Sequence, residues 1–140
     1  DCDNEKKFIV VHNGIIENYL SLREMLKKNG YIFFSDTDTE VVPNLIDMYY
    51  NGNLLETVKK VIGMLEGSFA LGIMCKDKPD ELVATKRNSP LIVGIGNNEN
   101  FIASDFSAVL KYTNKICVLE NDDIAIVDED KINIYMVELS

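Results

Sequence analysis

A chain of 140 residues with 46% hydrophobic content has the length of one domain and can bury about 70% of the surface its unfolded form exposes, without disulfides or metals. Its net charge of −9 offers no basic face to phosphate, which argues against nucleic acid as a partner, and its apolar runs fall far short of a membrane span. Three cysteines without a CxxC pair and a single histidine give neither a disulfide framework nor zinc-ligand spacing, and suit a reducing cytoplasm.

The chain opens on Asp1 rather than Met, with no basic and apolar leader, so it reads as a processed or excised piece with nothing to argue for secretion. Phe8-Ile9-Val10-Val11 is a β-branched strand that ends at a tight turn, His12-Asn13-Gly14. A helix follows from about Glu17 to Asn29, with Leu20, Leu22, Met25 and Leu26 near helical spacing, Lys27 and Lys28 in its last turn and Gly30 as its stop. Tyr31-Ile32-Phe33-Phe34 reads as a second strand, leading into the polar run Ser35 to Thr39.

A second helix is expected to start near Thr39, capped by Thr or Asp, with Glu40 at its positive end and Pro43 inside its first turn. Val42, Leu45, Ile46 and Tyr49 form its inner face, and Asn51-Gly52-Asn53 breaks the chain. A third helix carries Leu54, Val58, Val61, Ile62 and Leu65 on one face and ends at Gly67. Beyond Ser68 the pattern becomes short strands: Phe69 to Cys75, Glu81 to Lys86, Leu91 to Gly96, Asn100 to Ser104, Ile116 to Leu119, Ile124 to Val127 and Ile132 to Val137. Turn residues separate them, clearest at Lys76-Asp77-Lys78-Pro79, and Asp105 to Thr113 reads as one short helix. Helices first and strands later point to an α+β domain spanning 1–140, with helices packed on an antiparallel sheet. Cys75 and Cys117 fall in the strand-like stretches, where a free thiol behaves as a small buried hydrophobe.

Few residues offer chemistry. At a strand end, the Asn13 amide and a neighbouring backbone N–H can converge on one oxygen and stabilise the oxyanion of acyl transfer; losing one such donor costs roughly 3 kcal/mol. Glycine at position 14 lets backbone approach a ligand. The same dipeptide is also the commonest hairpin turn, and taken alone the turn is the plainer reading. Asp38 can pair with the ammonium of an amino-acid ligand, or simply cap the following helix. His12 can serve as a base, although a structural role suits it better. Cys2 lies in a charged stretch with no activating base or helix terminus. Gly94 and Gly96 lack the pattern of a phosphate loop. The acidic residues Glu120, Asp122, Asp123, Asp128, Glu129 and Asp130 read as solvated turns, without the spacing of a calcium loop.

In combination the motifs are more specific. Val10-Val11-His12-Asn13-Gly14-Ile15-Ile16-Glu17-Asn18-Tyr19, then Ser35-Asp36-Thr37-Asp38-Thr39-Glu40-Val41, Leu65-Glu66-Gly67-Ser68-Phe69-Ala70, Ser89-Pro90-Leu91-Ile92-Val93-Gly94-Ile95-Gly96 and Glu99-Asn100-Phe101-Ile102-Ala103-Ser104-Asp105 occur in that order. This succession resembles the glutaminase domain of the class II glutamine amidotransferases, and its Ile-Ile-Glu-Asn and Ser-Pro-Leu-Ile-Val-Gly pieces resemble the glutamine–fructose-6-phosphate aminotransferase branch. The resemblance implies an N-terminal-nucleophile hydrolase fold, a four-layer αββα sandwich, and hydrolysis of L-glutamine through a thioester on an N-terminal cysteine with no cofactor or metal. It implies Asn13 and Gly14 as oxyanion donors, and Asp38 as the holder of the glutamine α-ammonium. The ammonia would serve a sugar-phosphate isomerase domain that binds fructose 6-phosphate and makes glucosamine 6-phosphate.

The match fails at the beginning. Only eleven residues precede His12, so the family's nucleophile, its carboxylate-gripping arginine and its neighbouring His-Gly loop have no counterparts; neither Arg23 nor Arg87 falls in the right place. The expectation is a domain truncated at its N-terminus, inactive by itself, with an exposed sheet edge that favours a homo-oligomer. Three alternatives stand beside it: the glutaminase part of another class II amidotransferase, a non-catalytic amino-acid-binding regulatory module, and, last, a plain interaction domain, which explains the acidic surface but not the combination of Asn13-Gly14 and Asp38.

Overall fold

The computed structural model describes residues 2–5, 7–95, 100–103, 115–128 and 132–136. In chain order the elements are β1 (Phe8–Ile16), α1 (Tyr19–Lys28), α2 (Val41–Tyr49), α3 (Leu54–Met64), β2 (Gly67–Cys75), β3 (Lys78–Arg87), β4 (Ile92–Ile95), β5 (Asn100–Ala103), β6 (Lys115–Val118), β7 (Asp123–Val127) and β8 (Ile132–Met136). The larger sheet has the order β1-β2-β3-β7-β8 and the smaller β5-β4-β6, with every pairing antiparallel. The α+β expectation therefore holds.

One face of the larger sheet buries Phe8, Val10, Phe69, Leu71 and Ile73 against Leu26 of α1, Val42, Leu45 and Ile46 of α2 and Val58 and Ile62 of α3. Alternation along the strands puts small residues on the opposite face. Ala70, Ala84 and Ala125 pack there with Leu91, Val93 and Leu119, forming a second core between the two sheets. The described residues thus make three layers: helices, larger sheet, smaller sheet. On the same side of β1, Ile9, Val11 and Ile15 stay 55%, 57% and 66% exposed.

The helical expectations match closely. Pro43 lies in the first turn of α2, and Asn53 caps α3 by accepting the Glu56 N–H at 3.2 Å. Four sequence readings are corrected. His12-Asn13-Gly14 is no turn: β1 runs straight through it, with Asn13 opposite Ala70 and Gly14 opposite Phe69. Tyr31 to Phe34 is not a strand, because side chains rather than a ladder satisfy its backbone: Asn4 Oδ1 accepts the Ile32 N–H and Glu40 accepts that of Phe34. Asp38 and Thr39 do not cap α2; Glu40 occupies the cap position, and Asp38 is engaged elsewhere. Lys78 and Pro79 begin β3, which narrows the preceding turn to Lys76-Asp77. The helix expected over 105–113 lies outside the described residues, as does the Cys117 side chain.

Candidate functional site

Gly14 has φ +115, and a Cβ placed there would run into the Ser68 carbonyl of β2, so backbone stands where a side chain would be. Gly67 answers it from the other strand: its own missing Cβ would meet the Ile15 carbonyl. This mutual close approach carries β1 through a sequence that otherwise signals a turn. Asn13 follows Val11 on the face turned away from the helices. With His12, Leu71, Gly72, Leu91 and Ile102 these residues line a pocket of about 180 Å³ between the sheets.

Two bonds tie β1 to the polar loop before α2. The Asp38 carboxylate accepts the Ile16 N–H at 2.7 Å, and His12 Nδ1 lies 2.9 Å from Thr39 Oγ1. The loop has its own staple: the buried Glu40 carboxylate accepts the N–H groups of Phe34 and Ser35 and the Ser35 hydroxyl. Behind it, the fully buried Asn44 donates to the Glu40 carbonyl and accepts the Asn4 N–H. A short loop with this many fixed acceptors is held in one shape before any ligand arrives.

Burial pushes the His12 imidazole below its ordinary range, against the opposing pull of the Asp38 charge. The ring is therefore neutral near pH 7. Its Nε2 is enclosed and has no hydrogen-bond partner among the described residues. Positions 12 to 14, the Asp38 carboxylate and the pocket thus lie in one region, while the other candidates fall away from it. Cys2 forms an isolated bridge with Ile9 at the far end of β1. Arg87 is spent on Asp122 at 2.7 Å and on the carbonyls of Leu65 and Ile62, and Arg23 lies 3.5 Å from Asp36. Among the described residues no cluster of His, Cys, Asp and Glu can hold a metal, and no helix is long and apolar enough to cross a membrane.

Residues 2–111 match the family model described as a glutamine amidotransferase domain. The chain belongs to that family. It is 57% identical over 123 residues to a glutamine–fructose-6-phosphate aminotransferase [isomerizing] of Caldanaerobacter subterraneus, covering 88% of this chain and 20% of the relative. It is 52% identical to the protein of the same name from Clostridium tetani, covering 95% of the chain and 22% of the relative. The chain spans about a fifth of the length of the curated relatives it matches. Among solved structures it resembles glutamine phosphoribosylpyrophosphate amidotransferase from B. subtilis, with a TM-score of 0.83 at 23% identity, over 100% of this chain and 31% of that one. That likeness establishes the N-terminal-nucleophile hydrolase fold expected from the motifs.

Within this glutamine amidotransferase domain, sequence reasoning singled out Asn13, Gly14 and Asp38, and the fold gathers all three around the end of β1. It passed over Thr39 as a contact of His12, the Ile16 N–H as a contact of Asp38, and Glu40 as the staple of the loop. The only advance signal for these was the run Thr37-Asp38-Thr39-Glu40 itself, four residues able to bond backbone or side chains.

Proposed function

We propose that residues 1–140 are the oxyanion- and ammonium-binding part of the glutaminase domain of a glutamine–fructose-6-phosphate aminotransferase. In this reading Asn13 Nδ2 and the Gly14 N–H receive the negative charge that develops on the glutamine carbonyl oxygen as a thiolate attacks its carbon. Asp38 holds the α-ammonium at the other end of the substrate. The nucleophilic cysteine comes from a segment upstream, and ammonia released from glutamine serves a sugar-phosphate isomerase domain that makes glucosamine 6-phosphate from fructose 6-phosphate. By itself the chain is expected to bind glutamine weakly or undetectably, because Asp38 holds only one end of it, and to release no glutamate. Its assembly is a homo-oligomer, supported by the exposed Ile9, Val11 and Ile15 and by the place of β1 at the end of the larger sheet among the described residues.

The observation that carries this reading is the double tether, His12 to Thr39 and Ile16 to Asp38, which fixes an amide donor and an anionic loop on the same stretch of strand. The identity to relatives of that name supports the choice of enzyme. Glutamate release from glutamine tests it, measured on this chain and on a version extended upstream. The expected result is activity in the extended protein only, abolished by Asn13→Ala. An extended protein that binds glutamine but releases no glutamate would instead favour a regulatory amino-acid-binding module.

A further inference from the structure

We infer that His12 is a positioning residue of this glutaminase site: through Thr39 it holds the oxyanion strand and the ammonium-binding loop at a fixed separation. The inference rests on the function proposed above and assigns a part to a residue which that function leaves idle. His12 is the only histidine in the chain, and it is next to Asn13 on β1. Thr39 is next to Asp38. The bond of 2.9 Å between His12 Nδ1 and Thr39 Oγ1 therefore links the immediate neighbours of the two groups that would touch opposite ends of glutamine.

The second tether, Ile16 to Asp38, lies beyond Gly14. Asn13 and Gly14 are thus bracketed, by a tether at position 12 and another at position 16. β1 is held by its ladder with β2, so with one tether the loop before α2 could swing about a single anchor on the strand; with two, the distance and the angle between the half-sites are both set. Preorganised donors work because they need not move during the reaction.

A base role suits His12 poorly, since Nδ1 is engaged by Thr39 and Nε2 is enclosed. Its neutrality fits positioning. A charged imidazolium beside Asp38 would compete with the ligand ammonium for the same carboxylate, whereas burial keeps the ring uncharged and leaves the Asp38 charge to the ligand.

The test is steady-state glutaminase kinetics on the upstream-extended protein with His12→Gln, Thr39→Val, their combination and His12→Asn. Gln places its amide where Nε2 lies and Asn where Nδ1 lies, so only Asn can rebuild the bond to Thr39. The expected result is a loss of about 100-fold in kcat/KM for His12→Gln and for Thr39→Val, shared between a higher KM and a lower kcat. The double variant should be no worse than either single one, because all three break the same link. His12→Asn should recover most of the loss. Single variants within about threefold of the parent, or a loss that tracks only the unfolded fraction with KM unchanged, would overturn the inference. Should His12→Gln fail to fold, Thr39→Val decides, since it exchanges a hydroxyl for a methyl of similar size. Asn13→Ala run alongside separates the two levels: if it is fully active, the proposed function fails with the inference, and if it alone is inactive, only the positioning role fails.

Discussion

The Asp38 carboxylate lies 2.7 Å from the Ile16 backbone nitrogen, so one side chain both closes the end of β1 and presents its charge beside the strand that carries Asn13 and Gly14. Its two duties can be separated. Asp38→Asn keeps an oxygen to accept the Ile16 N–H but loses the charge. It is expected to raise the KM for glutamine in the extended protein while moving the urea midpoint little. Asp38→Ala removes the acceptor as well, and should cost about 1–3 kcal/mol of stability besides. Equal destabilisation by the two would show that the hydrogen bond to Ile16 contributes nothing.

Glu40 is expected to matter more to stability than its place at the head of a helix suggests. Its carboxylate takes two backbone N–H groups and a hydroxyl within the loop, and Glu40→Ala would leave them without their acceptor. The expected loss is about 3 kcal/mol, read from chemical denaturation. A loss below about 0.5 kcal/mol would mean that water replaces the carboxylate without penalty.

Gly14→Ala should destabilise by about 3 kcal/mol, through the positive φ and the collision with the Ser68 carbonyl together. Gly52→Ala provides the comparison. That residue has φ +98 but open space where a Cβ would go, so only the backbone cost remains, about 1 kcal/mol. Equal effects at the two positions would remove close approach from the account of the site.

The pH dependence of stability carries a readable sign. Burial holds the folded-state pKa of His12 below its ordinary value of 6.5. The unfolded chain therefore takes up the imidazole proton first, so this contribution is fully present above about pH 6.5 and is lost as pH falls through that value towards the folded pKa. His12→Asn should flatten the stability profile in that window relative to the parent. With only one histidine in the sequence, the imidazole resonance titrates unambiguously. Its midpoint is expected below 6.5, and lower still in Asp38→Asn, where the opposing charge is gone. A midpoint above 6.5 would contradict the buried, neutral ring.

The helices were legible because their information is local. Val42, Leu45 and Ile46, or Val58, Val61 and Ile62, repeat within a few residues and meet the sheet as that spacing requires. Tyr31 to Phe34 misled for the opposite reason. Its aromatic and β-branched residues favour a strand, but the N–H groups of Ile32 and Phe34 are taken by Asn4 and Glu40, and nothing within the four residues announces them. Asn13-Gly14 misled in the same way, because the strand that sustains it lies more than fifty residues on. The candidate site was legible as a set of residue types in order. Its wiring was not: His12 to Thr39 and Ile16 to Asp38 span 27 and 22 positions, which only folding brings together.

The reciprocal contact of Gly14 and Gly67 bears on how the chain finds this arrangement at all. A slip of β1 by one residue along β2 would turn Asn13 inward against the helices and leave His12 in the open groove. It would also bring bulky neighbours to the places where only hydrogen fits, under the carbonyls of Ser68 and Ile15. Mispaired registers are thus penalised by backbone collision as well as by misplaced apolar side chains. Two residues with no side chain of their own act as the alignment marks by which the strand face that carries Asn13 is chosen.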